Sequence, residues 1–181
     1  MDGNILLFIQ NHIRNPILTP FMVFFSAIGE MGIVWFIIIA LLLLDKRTRK
    51  LGIISLISLF VCAGTTEFIV KNIVMRVRPF LAIQELNPVS SVVIPTSFSF
   101  PSGHTVSSFS VAFILLHAPW KRLQYFPIVI ASLIAVSRLY VGVHYPTDVI
   151  CGVLFAAFGS LIVWNITQKK IPSLQLTQCI S

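Results

Sequence analysis

The sequence predicts an all-α fold: a multi-pass transmembrane helical bundle of about five spans with a short N-terminal interfacial helix. Three observations lead there. Of the 181 residues, 56% are apolar and only 10% charged, whereas soluble domains have about 45–50% and about 25%. The apolar residues gather in runs of roughly the 17–25 residues a helix needs to cross a hydrocarbon core of about 30 Å. Most of the thirteen Lys and Arg fall between those runs or at their ends. A mean hydropathy of +0.92 and fifteen Phe also exclude a disordered chain, which needs low hydrophobicity and many charges.

At the start of the chain, Ile5, Leu6, Ile9 and Ile13 recur at helical spacing opposite Asn4, Asn11 and Arg14, the pattern of a helix lying on a membrane. Asn15-Pro16 ends it, since the residue before proline avoids the helical region. No basic n-region or small-residue cleavage site precedes the first long run, so no removable signal peptide is expected. The runs cover about 20–44, 51–74, 104–119, 123–141 and 146–166, the third being short and rich in Ser (Ser107, Ser108, Ser110). The 80–100 segment, with Pro88 and Pro95 and alternating Ser and apolar residues, is the only long connection, and such loops are usually functional or disordered. With no repeat or low-complexity tract, residues 1–181 read as a single integral-membrane domain with its motif core at 71–148. Cys62 and Cys151 lie in apolar runs and Cys179 in the tail, without metal or redox spacing, and read as packing residues.

Five spans place the connections alternately on two sides. Lys46, Arg47, Arg49, Lys50, Lys121, Arg122, Lys169 and Lys170 share one side; Arg14, Arg76, Lys71, Arg78 and Arg138 fall on the other. The positive-inside rule puts the first group, and the C-terminus, in the cytoplasm, with the N-terminus and the 75–103 and 139–146 segments facing outward. The net charge of +7 does not point to nucleic acid, because no basic stripe with interleaved aromatics accompanies it.

Three polar stretches remain on the outward side. In Lys71-Asn-Ile-Val-Met-Arg-Val-Arg78-Pro79, seven residues make nearly two helical turns, which predicts Lys71 and Arg78 on one face, with Pro79 ending the helix. Taken alone, these two cations read equally well as snorkelling anchors. Pro101-Ser102-Gly103-His104 opens the third run; its Ser suits an N-cap and its Gly a close backbone approach, so free N–H groups at a helix start attract an anion. Alone it is also an ordinary way to begin a helix. In Ser137-Arg138 to His144 and Asp148, Pro146 suits the first helical position, leaving Asp148 in the first turn and His144 just outside it. A carboxylate there is placed to fix the imidazole tautomer, or merely to complement the helix dipole.

Together the stretches bring three cations, two His, one Asp and a Ser-Gly helix start to one membrane face. A phosphate uses all of them: cations and amides hold its oxygens, and the two His supply a nucleophile and an acid. A metal would want several carboxylates or closely spaced His, and only Asp148 is near, so no metal and no cofactor are expected. His12 and His117 read as incidental.

The three stretches resemble the type 2 phosphatidic acid phosphatase superfamily, which includes vanadium haloperoxidases and bacterial lipid phosphatases. The family pattern, Lys-x6-Arg-Pro, Pro-Ser-Gly-His and Ser-Arg-x5-His-x3-Asp, is complete here in order and spacing over residues 71–148. The resemblance implies a metal-independent phosphatase of lipid phosphates or diphosphates. By it His144 is the nucleophile that forms a phosphohistidine, Asp148 orients His144, and His104 protonates the leaving group and then activates water. Lys71, Arg78, Arg138, Ser102 and the Gly103 amide would bind phosphoryl oxygens. Against relatives with six spans, the chain is expected to lack the first. Glu67, one turn before Lys71, and Glu30, inside the first run, are expected to support the site from behind.

The expected substrate is a lipid phosphate in the membrane: undecaprenyl diphosphate, phosphatidylglycerol phosphate or phosphatidic acid. The apolar 80–100 connection suits a headgroup at the interface with its tail in lipid, and a chain this small, with little room for headgroup recognition, favours undecaprenyl diphosphate. Vanadate-dependent oxidation is the chemical alternative. A non-catalytic lipid-phosphate binding or transport protein is the other class, although a pure anion binder needs no nucleophile.

Overall fold

The computed structural model describes residues 1–118, 120 and 123–170. Cys179 and two of the basic residues assigned to orientation, Lys121 and Arg122, lie outside the described residues, as does the side chain of Lys170. Among the described residues all regular structure is helical. The chain forms α1 (Asp2–Phe8), α2 (Leu18–Ile28), α3 (Ile33–Leu44), α4 (Arg49–Thr65), α5 (Lys71–Val74), α6 (Pro79–Ala82), α7 (Gly103–Leu115), α8 (Phe126–Tyr140) and α9 (Pro146–Lys170). A π-helical turn, Thr66–Val70, joins α4 to α5 without a break in direction of the chain, and another, Ile9–Ile13, extends α1.

Among the described residues three helical stretches are long and apolar enough to cross a membrane: the one that α4 and α5 form within Arg49–Ala82, Leu123–Tyr140 and Pro146–Lys169. A fourth crossing arises if α2 and the Glu30–Leu44 stretch, bent by 51° at a break, act as one span. The third expected span, 104–119, is shorter in the structure than its apolar run. Its helix, α7, has 13 residues, about 20 Å at 1.5 Å per residue, and ends ahead of Ala118, whose position before Pro119 disfavours helix.

That short helix is the centre of the bundle. It packs against α4, α8 and α9, and ten of its residues, from Thr105 to Leu115, are buried. Its serines explain the arrangement, because small residues let neighbouring backbones approach and supply hydrogen bonds where water is absent. The Ser58 hydroxyl donates to the Ser110 carbonyl at 2.9 Å, and the buried Trp35 indole donates to Ser108 Oγ at 2.9 Å. Each such bond contributes on the order of 0.6 kcal/mol in a bilayer. Around this axis Ile39, Leu51, Ile54, Ile114, Leu115 and Ile134 form one apolar core. The outward-turned faces of the long helices leave Phe60, Ile150, Phe158 and Ile162 more than half exposed, as lipid-facing surfaces require.

The break between α2 and α3 interrupts residues 20–44, which read in sequence as one continuous apolar run. Here Met31 and Gly32 both take positive φ, 50° and 72°, a conformation that Gly adopts freely and a residue with a Cβ rarely does. The turn places Glu30 and Met31 at the rim of a cavity at one end of the bundle, Met31 remaining 83% exposed.

At one end of the bundle the N-terminal helix and the 80–92 segment fold over the turn that follows α8. Leu6 packs with Leu86 and Tyr145, and Ile9 packs against Tyr140, Val141 and Val143. Of the four residues expected on one face of the interfacial helix, Leu6 is buried, whereas Ile5 and Ile13 are exposed. Arg14 ties this cap together: its Nε donates to the Tyr140 carbonyl at 2.8 Å and its Nη1 to the Asn87 carbonyl at 2.5 Å.

Candidate active site

The same end of the bundle holds a cavity of about 420 Å³ into which α5, α7, α8 and five connections project polar side chains. Lys71, Arg78, His104, Arg138 and His144 line it, joined by Glu30, Glu67 and Gly103. One wall is apolar, built from Phe36, Leu59, Phe60 and Ala63.

Lys71 and Arg78 meet there, but not by helical register. The helix stops at Val74, Met75 turns with φ 49°, and Arg78 is extended (φ −70°, ψ 150°) ahead of Pro79. Met75 ends the helix in a left-handed turn and Pro79 disfavours helix at Arg78, so the expected common face over 71–78 does not form. A reversal of the chain brings the two cations together instead. Lys71 Nζ lies 2.7 Å from Glu67 Oε2 and 3.0 Å from Ser97 Oγ. The Arg78 guanidinium is held on several sides: Nε donates to the Ser97 carbonyl at 2.7 Å, and Nη1 to that of Val143 at 3.0 Å.

Arg138 is fully buried on α8. Its Nη1 bonds the Ser26 hydroxyl of α2, while Nε and Nη2 have no protein partner. A buried guanidinium with two donors unmet is costly, and an anion in the adjoining cavity relieves that cost through a bidentate contact.

Two imidazoles face the cavity from different elements. His104, the second residue of α7, places Nε2 3.4 Å from Glu30 Oε2. His144 sits in the connection between α8 and α9 and is 2% exposed. Its Nε2 is 3.2 Å from Arg78 Nη1, and because a guanidinium only donates, Nε2 carries a lone pair. The proton therefore sits on Nδ1, 3.5 Å from Asp148 Oδ2. Asp148 is itself fully buried in the first turn of α9; Oδ2 accepts from Ser99 Oγ (2.5 Å) and the Tyr145 amide (2.9 Å), and Oδ1 from Arg76 Nη1 (2.6 Å).

The helix start at Ser102-Gly103 differs in detail from expectation. Ser102 occupies the N-cap position without a side-chain cap; its hydroxyl accepts from Thr105 Oγ1 at 3.0 Å, and it does not line the cavity. Gly103 does line it: a Cβ there would lie 3.6 Å from both Lys71 Nζ and Glu67 Oε2. Glu67 and Glu30 both reach the cavity, each against a different basic group.

Four further residues of the site escaped the sequence reading: Ser26, Arg76, Ser97 and Ser99. The Ser alternation of 80–100 and the Arg-x-Arg-Pro run carried a signal for three of them; Ser26 looks like any small residue in an apolar run.

Burial, opposed by the Asp148 carboxylate nearby, pushes the His144 imidazole from its ordinary 6.5 down to about 3. Between those values the unfolded chain takes up a proton at this ring that the folded chain does not. The contribution of His144 to stability is thus complete above 6.5 and lost as pH falls towards about 3. Thermal unfolding of the detergent-solubilised protein is expected to shift to lower temperature over that window, and His144→Gln to flatten the dependence.

The profile of the PAP2 superfamily matches residues 51–172. An undecaprenyl-diphosphatase of Sulfolobus acidocaldarius is 39% identical over 162 residues, 88% of this chain and 76% of that protein. The bacitracin transport permease protein BcrC of Bacillus licheniformis is 30% identical over 161 residues, 86% of this chain and 72% of that one. The crystal structure of a transmembrane PAP2 type phosphatidylglycerolphosphate phosphatase from Bacillus subtilis superposes with a TM-score of 0.73 at 27% identity, covering 93% of this chain and 85% of its own. With a superfamily profile spanning most of its length and a bundle of the same architecture, the chain belongs to the PAP2 superfamily.

Proposed function

We propose that this single-domain chain is a metal-independent lipid phosphatase or diphosphatase that works through a phosphohistidine on His144. The observation that carries the reading is one cavity with two imidazoles, a buried arginine with unmet donors and an apolar wall. Cations and amides alone would serve a binder; a neutral imidazole with its lone pair held outward by a carboxylate serves displacement at phosphorus.

In the first half-reaction Arg138, Lys71, Arg78 and the Gly103 amide hold the phosphoryl oxygens, with Ser102 behind them. His144 Nε2 donates its lone pair to phosphorus while the bond from phosphorus to the leaving oxygen breaks. His104 gives that oxygen its proton, and Glu30 positions His104 for the transfer. The phosphoimidazole keeps its Nδ1 proton, and its positive charge is balanced by Asp148. In the second half-reaction His104 takes a proton from water, the water oxygen bonds to phosphorus, the N–P bond breaks, and inorganic phosphate leaves. Glu67 fixes the Lys71 ammonium at the rim.

The apolar wall supports a lipid tail beside the headgroup, and the Sulfolobus relative supports undecaprenyl diphosphate as the substrate. A second reading is a non-catalytic lipid-phosphate binding or transport protein; the Bacillus licheniformis relative is named a bacitracin transport permease. Purified protein in detergent is expected to release phosphate from undecaprenyl diphosphate in the presence of chelator, with vanadate blocking release. Binding or flux without phosphate release establishes the second reading instead.

The site is proposed to face the outside of the cytoplasmic membrane, with the 45–50 loop inside, on the strength of Lys46, Arg47, Arg49 and Lys50 in that loop. A Cys introduced at Arg47 is expected to resist a membrane-impermeant thiol label in intact cells and to react once the membrane is opened. Labelling from outside reverses the topology.

A further inference from the structure

Arg76 is neither a cavity residue nor an orientation charge, yet its guanidinium pairs with two carboxylates, Asp148 and Asp2. Its Nη1 donates to Asp148 Oδ1 at 2.6 Å and to Thr147 Oγ1 at 2.7 Å, and its Nη2 to Asp2 Oδ2 at 2.9 Å. The guanidinium lies over the Tyr145 ring, 4.0 Å from its centre. Its backbone acts on the same carboxylate from the other side: the Arg76 carbonyl accepts from the Ser99 amide at 2.9 Å, and the Ser99 hydroxyl donates to Asp148 Oδ2 at 2.5 Å. Asp2, the first residue of α1, also accepts from the Thr147 hydroxyl.

Asp148 is buried without exposure, and a carboxylate taken out of water needs a charged partner as well as hydrogen bonds. His144 is not that partner in the resting site, because it is neutral. Arg76 is the group that compensates the charge, holding Oδ1 at 2.6 Å while the Ser99 hydroxyl and the Tyr145 amide hold Oδ2, so that the carboxyl's rotation is fixed. Fixing that rotation aims Oδ2 at the His144 ring.

We propose that Arg76, clamped between Asp148 and Asp2, is a positioning residue for the reaction and makes the N-terminal helix a working part of the site. The inference rests on the reading of His144 as nucleophile and adds to it a relay from α1 through Arg76 and Asp148 to the imidazole. Since Arg76 does not line the cavity, its loss should reduce turnover and leave phosphate binding alone.

The test measures kcat, KM and vanadate inhibition for the full chain with Arg76→Ala, Arg76→Lys, Asp2→Asn and the Arg76→Ala/Asp2→Asn pair. Arg76→Ala is expected to lower kcat by about 10²-fold, the size of a small misplacement of a reacting group, with KM and vanadate inhibition unchanged. Arg76→Lys should recover only part of the loss, because an ammonium cannot bridge two carboxylates in one plane. Asp2→Asn is expected to lower kcat about three-fold, as the loss of a partly exposed ion pair, and to have no effect once Arg76 is Ala. Unchanged kcat in Arg76→Ala overturns the proposal, as does loss of vanadate inhibition in step with kcat. If Arg76→Ala does not fold, Asp2→Asn decides, and unchanged kcat there overturns it. A wild-type protein that releases no phosphate overturns the phosphatase reading and this inference with it, whereas an active wild type with an indifferent Arg76 overturns the inference alone.

Discussion

His144→Ala is expected to abolish phosphate release from lipid phosphates, with kcat falling by at least about 10⁴-fold. The size follows from the geometry. His144 is the imidazole whose Nε2 lone pair is turned away from its carboxylate, with Arg78 Nη1 3.2 Å away. His104 is held against Glu30 on another helix and is not backed by Asp148. It therefore cannot take over the nucleophile's place. Binding should survive, because Lys71, Arg78 and Arg138 remain. The check is a kinetic comparison of purified wild type and variant on undecaprenyl diphosphate, with vanadate affinity measured alongside. Retention of most of the phosphate release would dismiss His144 as nucleophile.

Asp148→Asn is expected to cost nearly as much, on the order of 10⁴-fold by analogy with amidation of the Asp in a Ser-His-Asp triad. An amide has one acceptor oxygen where this position uses two. Oδ2 receives the Tyr145 amide and the Ser99 hydroxyl, while Oδ1 receives Arg76. With the amide nitrogen in either place, donor faces donor, and the buried Asn turns or shifts. The His144 tautomer is then no longer fixed, and the positive charge that forms on phosphorylation has no counter-charge. Asp148→Glu keeps the charge but moves it by a methylene and should recover activity only in part. Measured kcat for both variants, with KM as the control for binding, decides it; near-normal turnover in Asp148→Asn would mean that the carboxylate only complements the start of α9.

What the sequence discloses and what it hides divide along a physical line. Spacing within a short stretch survives folding, so His144 and Asp148, four residues apart across the start of α9, were legible as a pair, as was the Gly103-His104 helix start. Contacts between distant segments were not. Ser97 and Ser99 reach Lys71, Arg78 and Asp148 only because the 75–102 connection folds back over the bundle, and Arg76 looked like a spare charge. Helical register misled at 71–78, where Met75 reverses the chain and Pro79 holds Arg78 extended. The apolar run 20–44 concealed a break that only Gly29 and Gly32 on either side of Glu30 could have announced. Hydropathy counted α7 among the spans on composition alone, although its buried serines suit a helix surrounded by protein.

The most direct test is acid-labile phosphate on the protein itself. Wild-type enzyme is mixed with lipid phosphate carrying a labelled phosphoryl group, quenched within the first turnover, and digested. A covalent label that is stable to alkali, lost in acid and carried by the peptide containing His144 is the expected result, absent from His144→Ala. Phosphate release by the wild type with no label at His144, or with the label on another residue, would contradict the phosphohistidine route.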